Sequence, residues 1–362
     1  MTDSASMIET DALVIGAGPV GLFQVFQLGL LGINAHIVDS LPYAGGQCIE
    51  LYPDKPIYDI PGTPRCTGRE LTASLLKQVA PFKPPMHLGQ EVSLVEKQPD
   101  GRFKVATNKG STFITKTIFI AAGVGAFQPK RLKLDGLEKF EGSQLLYGVE
   151  NSSDFANKDV LIVGGDVTAL GWAMRLATLD DDQPKSVTLL HRRDVFQADA
   201  DMVMMVKALC DLGSLHFKVG RVTGIEERDG QLVAAQITDV NGTVAAQPLD
   251  AMLVLLGLSP KLGPVANWGL DMARRQVAVD TEKFSTSVPG IFAVGDINTY
   301  PGKKKLILCG FHEAALAAFG AAEIVFPGVA TQLQYTTTSS RLHKLLGVDA
   351  DADRLSSLPQ LP

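Results

Sequence analysis

The stretch from Asp11 to Asp39, DALVIGAGPVGLFQVFQLGLLGINAHIVD, constrains the architecture of this chain more than any other. Its apolar start, Asp11–Ile15, predicts a short buried strand. That strand leads into Gly16-Ala17-Gly18-Pro19-Val20-Gly21, a G-x-G-x-x-G pattern. The three glycines have separate tasks. Gly16 permits a tight turn, Gly18 lets backbone approach a pyrophosphate with no Cβ between, and Gly21 lets a helix lie close against the strand. The helix expected over Val20–Leu31 presents its N-terminal N–H groups and the positive end of its dipole to the phosphates, and Gly32 stops it. A second strand, Ala35–Val38, ends at Asp39, eighteen positions beyond Gly21, where a carboxylate can take both hydroxyls of a ribose. An acid there favours an unphosphorylated ribose, hence FAD or NAD rather than NADP.

At 362 residues the chain exceeds one ordinary domain, and two is the natural division. A formal charge of -6 argues against a nucleic-acid partner. The four cysteines (Cys48, Cys66, Cys210, Cys309) have neither C-x-x-C nor metal-like spacing, so no metal site is expected and they read as small buried hydrophobes of a reducing compartment. MTDSASMIET lacks the basic and apolar regions of a secretory leader. No apolar run approaches the roughly 18 residues of a bilayer span. A cytoplasmic protein without a membrane partner is the expectation.

Beyond Asp39 runs SLPYAGGQCIELYPDKPIYDIPG, too long for a connector and too specific in composition for slack chain. Gly45 and Gly46 let backbone pass close to a bound ring, Gln47 offers an amide to flavin edge atoms, and Tyr52 offers a flat face for stacking on an isoalloxazine. Gly68–Val79 predicts a helix. Gln90–Val95, Arg102–Thr107 and Ser111–Ile114 alternate as a small antiparallel meander, and Thr117–Ala122 predicts a further buried strand.

The pattern then restarts. After a segment marked by proline and glycine (129–148), Asp159–Val163 predicts a buried strand running into Gly164-Gly165-Asp166-Val167-Thr168-Ala169 and a helix through Leu179. The next strand, Val187–Leu190, ends in His191-Arg192-Arg193, and the two arginines suit a ribose phosphate, as in an NADP site. On G-x-G-x-x-A, however, Asp166 occupies the middle glycine position, bringing a Cβ and a negative charge to the pyrophosphate. Strands are expected at Val233–Val240 and Met252–Leu256. Ile291–Asp296 ends a strand in Gly-Asp, suited to a flavin's ribityl chain or phosphates, ahead of a helix near Phe311. Lys303–Lys305 is a short basic run suited to a solvated loop or an acidic partner. A short helix is expected around Arg341–Leu346, before a frayed, proline-ended tail.

Two dinucleotide units and a Gly-Asp strand end describe the two-domain flavoprotein disulfide-reductase architecture. Within it the chain resembles the ferredoxin–NADP+ reductases of the thioredoxin-reductase-like type, through GAGPVG, AGGQCIELYPDKPIYDIPG, VTLLHRRD, IFAVGD, KLILCGFHEAALAA and the threonine-rich stretch past residue 335. The resemblance implies an α/β fold of two Rossmann-like domains, three-layered, with parallel central sheets and small antiparallel meanders, the second domain inserted in the first. It implies FAD-binding parts at 1–124 and 256–362 and an NADP(H)-binding part at 125–255. It further implies a homodimer in which a hydride passes between NADPH and FAD, and single electrons pass to a ferredoxin or flavodoxin. FAD contacts carried over are Gly16, Gly18, Pro19, Gly21, Asp39, Gly46, Gln47, Tyr52, Val92, Phe127, Asp296 and Thr337. Tyr335 stands where a second stacking ring could lie, and no side chain is catalytic in its own right. NADPH contacts carried over are Gly164, Gly165, Asp166, Thr168, Arg192 and Arg193. Thioredoxin reductase carries a redox C-x-x-C ahead of its second fingerprint, and residues 142–158 here contain no cysteine.

The departures from that family gather in one half. Besides Asp166, Val167 and Gly171 stand where acids are usual, and Gln197 stands where an arginine is common. These imply an intact FAD half and a weakened NADPH half. They leave open NADH or a reduced protein as donor, or a flavin protein that acts by binding a partner.

Overall fold

A computed structural model describes residues 7–149, 151–329 and 335–348. The chain opens with β1 (Ile8–Ile15), α1 (Pro19–Leu30) and β2 (Ala35–Val38). β1 starts three residues earlier than the apolar run indicates, because its outer half pairs with a later strand. A short helix α2 (Gln47–Glu50) follows in the Gly/Pro-rich loop, then the two-residue strands β3 (Pro56–Ile57) and β4 (Cys66–Thr67). Helix α3 (Gly68–Val79) starts at a full capping box: the Thr67 hydroxyl accepts from the Glu70 N–H while the Glu70 carboxylate accepts from the Thr67 N–H. β5 (Met86–His87), β6 (Val92–Lys97), β7 (Phe103–Thr107) and β8 (Thr112–Ile120) complete this part.

β8 corrects the expectation of two strands at 111–114 and 117–122. Nothing between Ile114 and Thr117 breaks an extended chain, and a single strand serves two partnerships. Its first half pairs antiparallel with β7, its second half parallel with a later strand at Ile291–Ala293, and its other edge parallel with β1 along most of its length.

The chain next enters a second compact unit, residues 127–260; residues 1–126 and 261–362 form the first. The strands at the two crossings, β9 (Ala126–Pro129) and β18 (Leu258–Lys261), pair with each other. Within the second unit β10 (Leu145–Leu146), β11 (Asp159–Gly164), α4 (Val167–Ala177), β12 (Ser186–His191), α5 (Ala200–Asp211) and β13 (His216–Val219) come first. The hairpins of β14 (Arg221–Arg228), β15 (Gln231–Thr238) and β16 (Val244–Pro248) lead to β17 (Ala251–Leu255). The central sheet runs β10-β17-β11-β12-β13, all parallel, with β14-β15-β16 as a separate antiparallel meander. β11 and β17 are buried on both faces, as their continuous apolar runs require. Apolar clusters fill both sides, one around α4 and α5 and one under the meander.

Back in the first unit come β19 (Met272–Ala273), β20 (Gln276–Ala278), β21 (Ile291–Ala293) and β22 (Asn298–Thr299). The last helices of the described residues are α6 (Ile307–Val325) and α7 (Ser340–Leu346). The main sheet here is β5-β2-β1-β8-β7-β6, with β21 also on β8. One face packs against α1, α3 and α6, and the other against residues of 262–279. Helix α6 starts four residues before Phe311. At 19 residues it is long and apolar enough, by length and composition alone, to cross a bilayer, which amends the expectation that no such stretch exists. Its inner face, Ala314, Ala317, Ala318, Ala321 and Ala322, is buried in the core over α1.

Candidate cofactor sites

In the first unit the turn from β1 to α1 has the geometry the glycine pattern demands. Gly16 sits at φ +112, and a Cβ there or on Gly21 would overlap backbone, the carbonyl of Ala121 in one case and of Gly16 in the other. Gly18 differs. Its φ of -70 and ψ of 178 suit any residue, and the nearest atom to a Cβ built there is the Gly46 Cα at 3.8 Å. The protein's own packing therefore does not require glycine at 18, whereas a ligand lying on the turn does. Helix α1 also starts with Pro19 in its first turn and with no side-chain cap among the described residues, which leaves its first N–H groups, that of Gly21 among them, as donors for a ligand.

Asp39 ends β2 as expected, buried at 8% exposure. Its two oxygens already accept backbone N–H groups, Oδ2 from Ala17 at 2.5 Å and Oδ1 from Leu41 at 2.8 Å. Burial pushes its carboxyl pKa above the ordinary value, and those two bonds pull it back down. The carboxylate thus fastens the glycine turn to the strand end and keeps further lone pairs for hydroxyl donors.

The loop after β2 returns to this turn: the Gly45 N–H donates to the Ala17 carbonyl at 2.9 Å, and Gly46, at φ +51, lies against Gly18. Gln47 Nε2 reaches Asp296 Oδ2 at 3.3 Å, which links the loop to the Gly-Asp strand end 249 residues later. Beneath it, Cys48 is buried and donates its thiol proton to the Tyr52 hydroxyl at 3.6 Å. Burial raises the pKa of both groups, so at neutral pH neither is ionised. Val92 is a buried core residue at the start of β6. Thr337 lies in a short 3-10 turn and Tyr335 is 70% exposed just before it. Phe127 lies in β9, and its side chain falls outside the described residues.

Two charged residues that sequence reasoning did not place in this site organise it. Glu313, fully buried in α6, accepts from the Gly295 N–H at 2.7 Å, Asn298 Nδ2 at 2.8 Å and the Tyr300 hydroxyl at 2.9 Å, and pairs with Lys303. Lys303 Nζ donates to the Gly295 carbonyl at 2.9 Å. Lys303 is therefore not part of a solvated basic run: its side chain is 7% exposed, and only Lys304 and Lys305 are open to solvent. The legible signal was an acid on the inward, alanine-rich face of a largely apolar helix, since a carboxylate buried there needs a partner. The neighbouring His312 is exposed.

In the second unit the β11–α4 turn has the same order of strand, glycines and helix as the first, with Asp166 at the helix cap where the first has Gly18. Gly164 and Gly165 are required by packing, since a Cβ on either would meet the Leu255 carbonyl or the His191 ring. Asp166 holds φ -103 and ψ 178, the same extended cap conformation as Gly18, and its Oδ1 accepts the Ala169 N–H at 3.0 Å. Thr168 lies in the first turn of the helix, and Val167 is half exposed. Gln197 bridges to this turn through backbone, its N–H donating to the Gly165 carbonyl at 2.8 Å. His191 ends β12, with burial and the charges of Arg192 and Arg193 holding its pKa below the usual histidine value. Both arginines are exposed at the strand's carboxyl end.

A fold of two such units, each with a glycine turn at the carboxyl edge of a parallel sheet, defines a dinucleotide-dependent oxidoreductase class. The pyridine nucleotide-disulphide oxidoreductase family model matches residues 10–314, and the chain belongs to that family. It is 64% identical over 343 residues, 95% of this chain and 94% of the other, to a protein of Polaromonas naphthalenivorans named ferredoxin–NADP reductase. It is 62% identical to one of the same name from Albidiferax ferrireducens, covering 97% and 99%. Among solved structures it resembles Lactococcus lactis thioredoxin reductase, with a TM-score of 0.55, 24% identity and coverage of 87% and 99%. It also resembles the bacillithiol disulfide reductase of Staphylococcus aureus, with a TM-score of 0.57, 17% identity and the same coverage. Those two likenesses bear on the fold.

Proposed function

We propose that the chain is an FAD-dependent ferredoxin–NADP+ reductase, acting as a cytoplasmic homodimer with FAD held by the first unit and NADP(H) by the second. The observation that carries the FAD assignment is Gly18, a glycine that only a ligand requires, on an uncapped helix beside the buried acid Asp39. The names of the close relatives supply the reaction.

Gly16, Gly18 and Gly21 shape the turn on which the pyrophosphate of FAD would lie, with the α1 N–H groups as donors and Pro19 presetting the first turn. Asp39 would take the adenosine ribose. Gly46, Gln47 and Asp296 would line the ribityl and ring edge, with Val92 and Phe127 nearby. Tyr52 would stack on the isoalloxazine, and Tyr335 and Thr337 would serve the flavin of the opposite protomer. Gly164, Gly165, Thr168, Arg192 and Arg193 would hold NADP(H), the arginines at its 2′-phosphate. Bound FAD supplies hydride uptake from NADPH and single-electron release to a ferredoxin or flavodoxin. The protein orients, shields and tunes, and no side chain need move a proton.

An anaerobic NADPH titration of the yellow holoprotein, followed at the flavin band, tests this reading. Bleaching followed by reoxidation on adding a ferredoxin supports it. A flavin that dithionite bleaches and NADPH does not would sink it.

A further inference from the structure

The chain carries two strand–glycine–helix turns, and they differ in charge at the helix cap, the place where an anionic ligand would sit. Gly18 and Asp166 share an extended conformation with ψ of 178, and each accepts through its carbonyl the first helical bond, from Leu22 and from Leu170, both at 3.0 Å. Residue by residue, Pro19 corresponds to Val167, Val20 to Thr168 and Gly21 to Ala169. In α1 no side chain caps the first turn. In α4 the Asp166 carboxylate takes the N–H of Ala169, one of the donors that an incoming pyrophosphate would use. Its other oxygen, Oδ2, lies 3.7 Å from where a Cβ on Gly257, two residues past the end of β17, would be. Lys130 Nζ lies 3.9 Å from the same point. The crevice where an open parallel sheet receives its ligand is thus already furnished with an anion and a nearby ammonium.

We propose that Asp166 is a built-in competitor of the nucleotide pyrophosphate, so that the second unit binds a dinucleotide only by turning this carboxylate off the helix N-terminus. The idea rests on the assignment of the second unit to NADP(H). Asp166 is a specificity-determining residue here. It weakens every pyrophosphate-bearing ligand by like charge and by occupying a donor, and it leaves the arginine pair at the far end of the strand as the main attraction. Lys130 offers the displaced carboxylate a new partner in the same crevice.

The test compares wild type, Asp166→Asn and Asp166→Ala as FAD-loaded proteins, with NADP+ as the titrant. Asparagine caps a helix as well as aspartate does, so Asp166→Asn keeps the fold and removes only the charge. Alanine removes charge and cap together. A carboxylate a few ångström from a phosphate oxygen in a partly dry crevice is worth at least about tenfold in affinity. The expected result is therefore an NADP+ Kd at least about tenfold lower in Asp166→Asn, more salt-sensitive than in wild type. Asp166→Ala should also tighten binding despite melting lower, which a merely structural role would not produce. Reduction of the flavin with an unaltered NADP+ Kd in both variants would overturn the proposal and leave the functional reading standing. If NADPH reduced no variant while dithionite reduced all three, the nucleotide assignment of the second unit would fall, and this proposal with it.

Discussion

Lys303 and Glu313 grip opposite ends of one residue: the ammonium of Lys303 holds the Gly295 carbonyl, and the carboxylate of Glu313 holds the Gly295 N–H. Gly295 sits at φ +79 and precedes Asp296, so the buried pair fixes the direction in which Asp296 leaves the strand end. Removing one member of a buried, hydrogen-bonded pair leaves an uncompensated charge, at a cost of about 3–5 kcal/mol. Lys303→Met and Glu313→Leu should each lower stability by about that much in urea unfolding and release FAD on dilution. The double variant should be less damaged than the sum of the two, because no charge is left unpaired.

The three glycines of the first turn should separate in mutagenesis. Gly21→Ala places a methyl on the Gly16 carbonyl and should destabilise the domain even without flavin. Gly18→Ala meets nothing closer than 3.8 Å and should leave the melting temperature of the apoprotein nearly unchanged. Its cost should fall on FAD affinity, expected to drop by about tenfold or more through loss of close approach. Apoprotein melting curves and a fluorescence titration with FAD read the two effects independently.

The features legible in the sequence are those set by local spacing. The glycine turns, Asp39 at its strand end and the parallel strands follow from runs that carry their own signal over a few residues. The Glu313 cluster does not, because Gly295, Asn298, Tyr300 and Lys303 lie 10–18 residues away and converge only when α6 docks. The same holds for β8, where the alternation of 111–114 and the apolar run of 117–122 read as two strands and only the three partners show them to be one. Asp166 shows a third case. Its identity flags a conflict with the glycine pattern, but whether the carboxylate points into the crevice or away is a matter of rotamer, settled by the Ala169 bond. Lys303 looks like its two neighbours in a basic run, and only burial tells them apart.

His36 and His87 stack at the edge of the first sheet with Nδ1 of one 3.0 Å from Nε2 of the other, both edge-on to Phe113. The bond requires one ring to donate and the other to accept, so at most one proton can be shared there. Burial lowers both pKa values from 6.5, and His87 lowers that of His36 further. The sign follows. As pH falls through the unfolded value of 6.5, the unfolded chain takes up protons that the folded chain resists, so stability falls with pH. The His87 carbonyl also accepts the Asp39 N–H at 3.1 Å, which ties this pair to the strand end proposed to hold the flavin's ribose. Melting temperature should therefore decline between pH 7 and pH 5.5, and His87→Gln should flatten the decline. An equal slope in that variant would place the pH dependence elsewhere.

Electron transfer to an acidic ferredoxin calls for basic groups that are free to meet it, and the geometry narrows the choice. Arg131 is engaged with Glu141 by both of its terminal nitrogens, and Lys303 is buried on Glu313. Lys304 and Lys305, next to Lys303 in sequence, are exposed, with no ion pair among the described residues. Rim charges of this kind act on encounter more than on the bound state. Lys304→Ala/Lys305→Ala should lower the association rate with ferredoxin at low salt by about tenfold, with the difference vanishing as ionic strength rises past the point where the Debye length is about 8 Å. The melting temperature and flavin content should stay at wild-type values, whereas extending the change to Lys303 should lose both through the Gly295 clamp. Stopped-flow reduction of ferredoxin across a salt series separates the two effects, and a double variant with an unaltered salt slope would remove this loop from the docking surface.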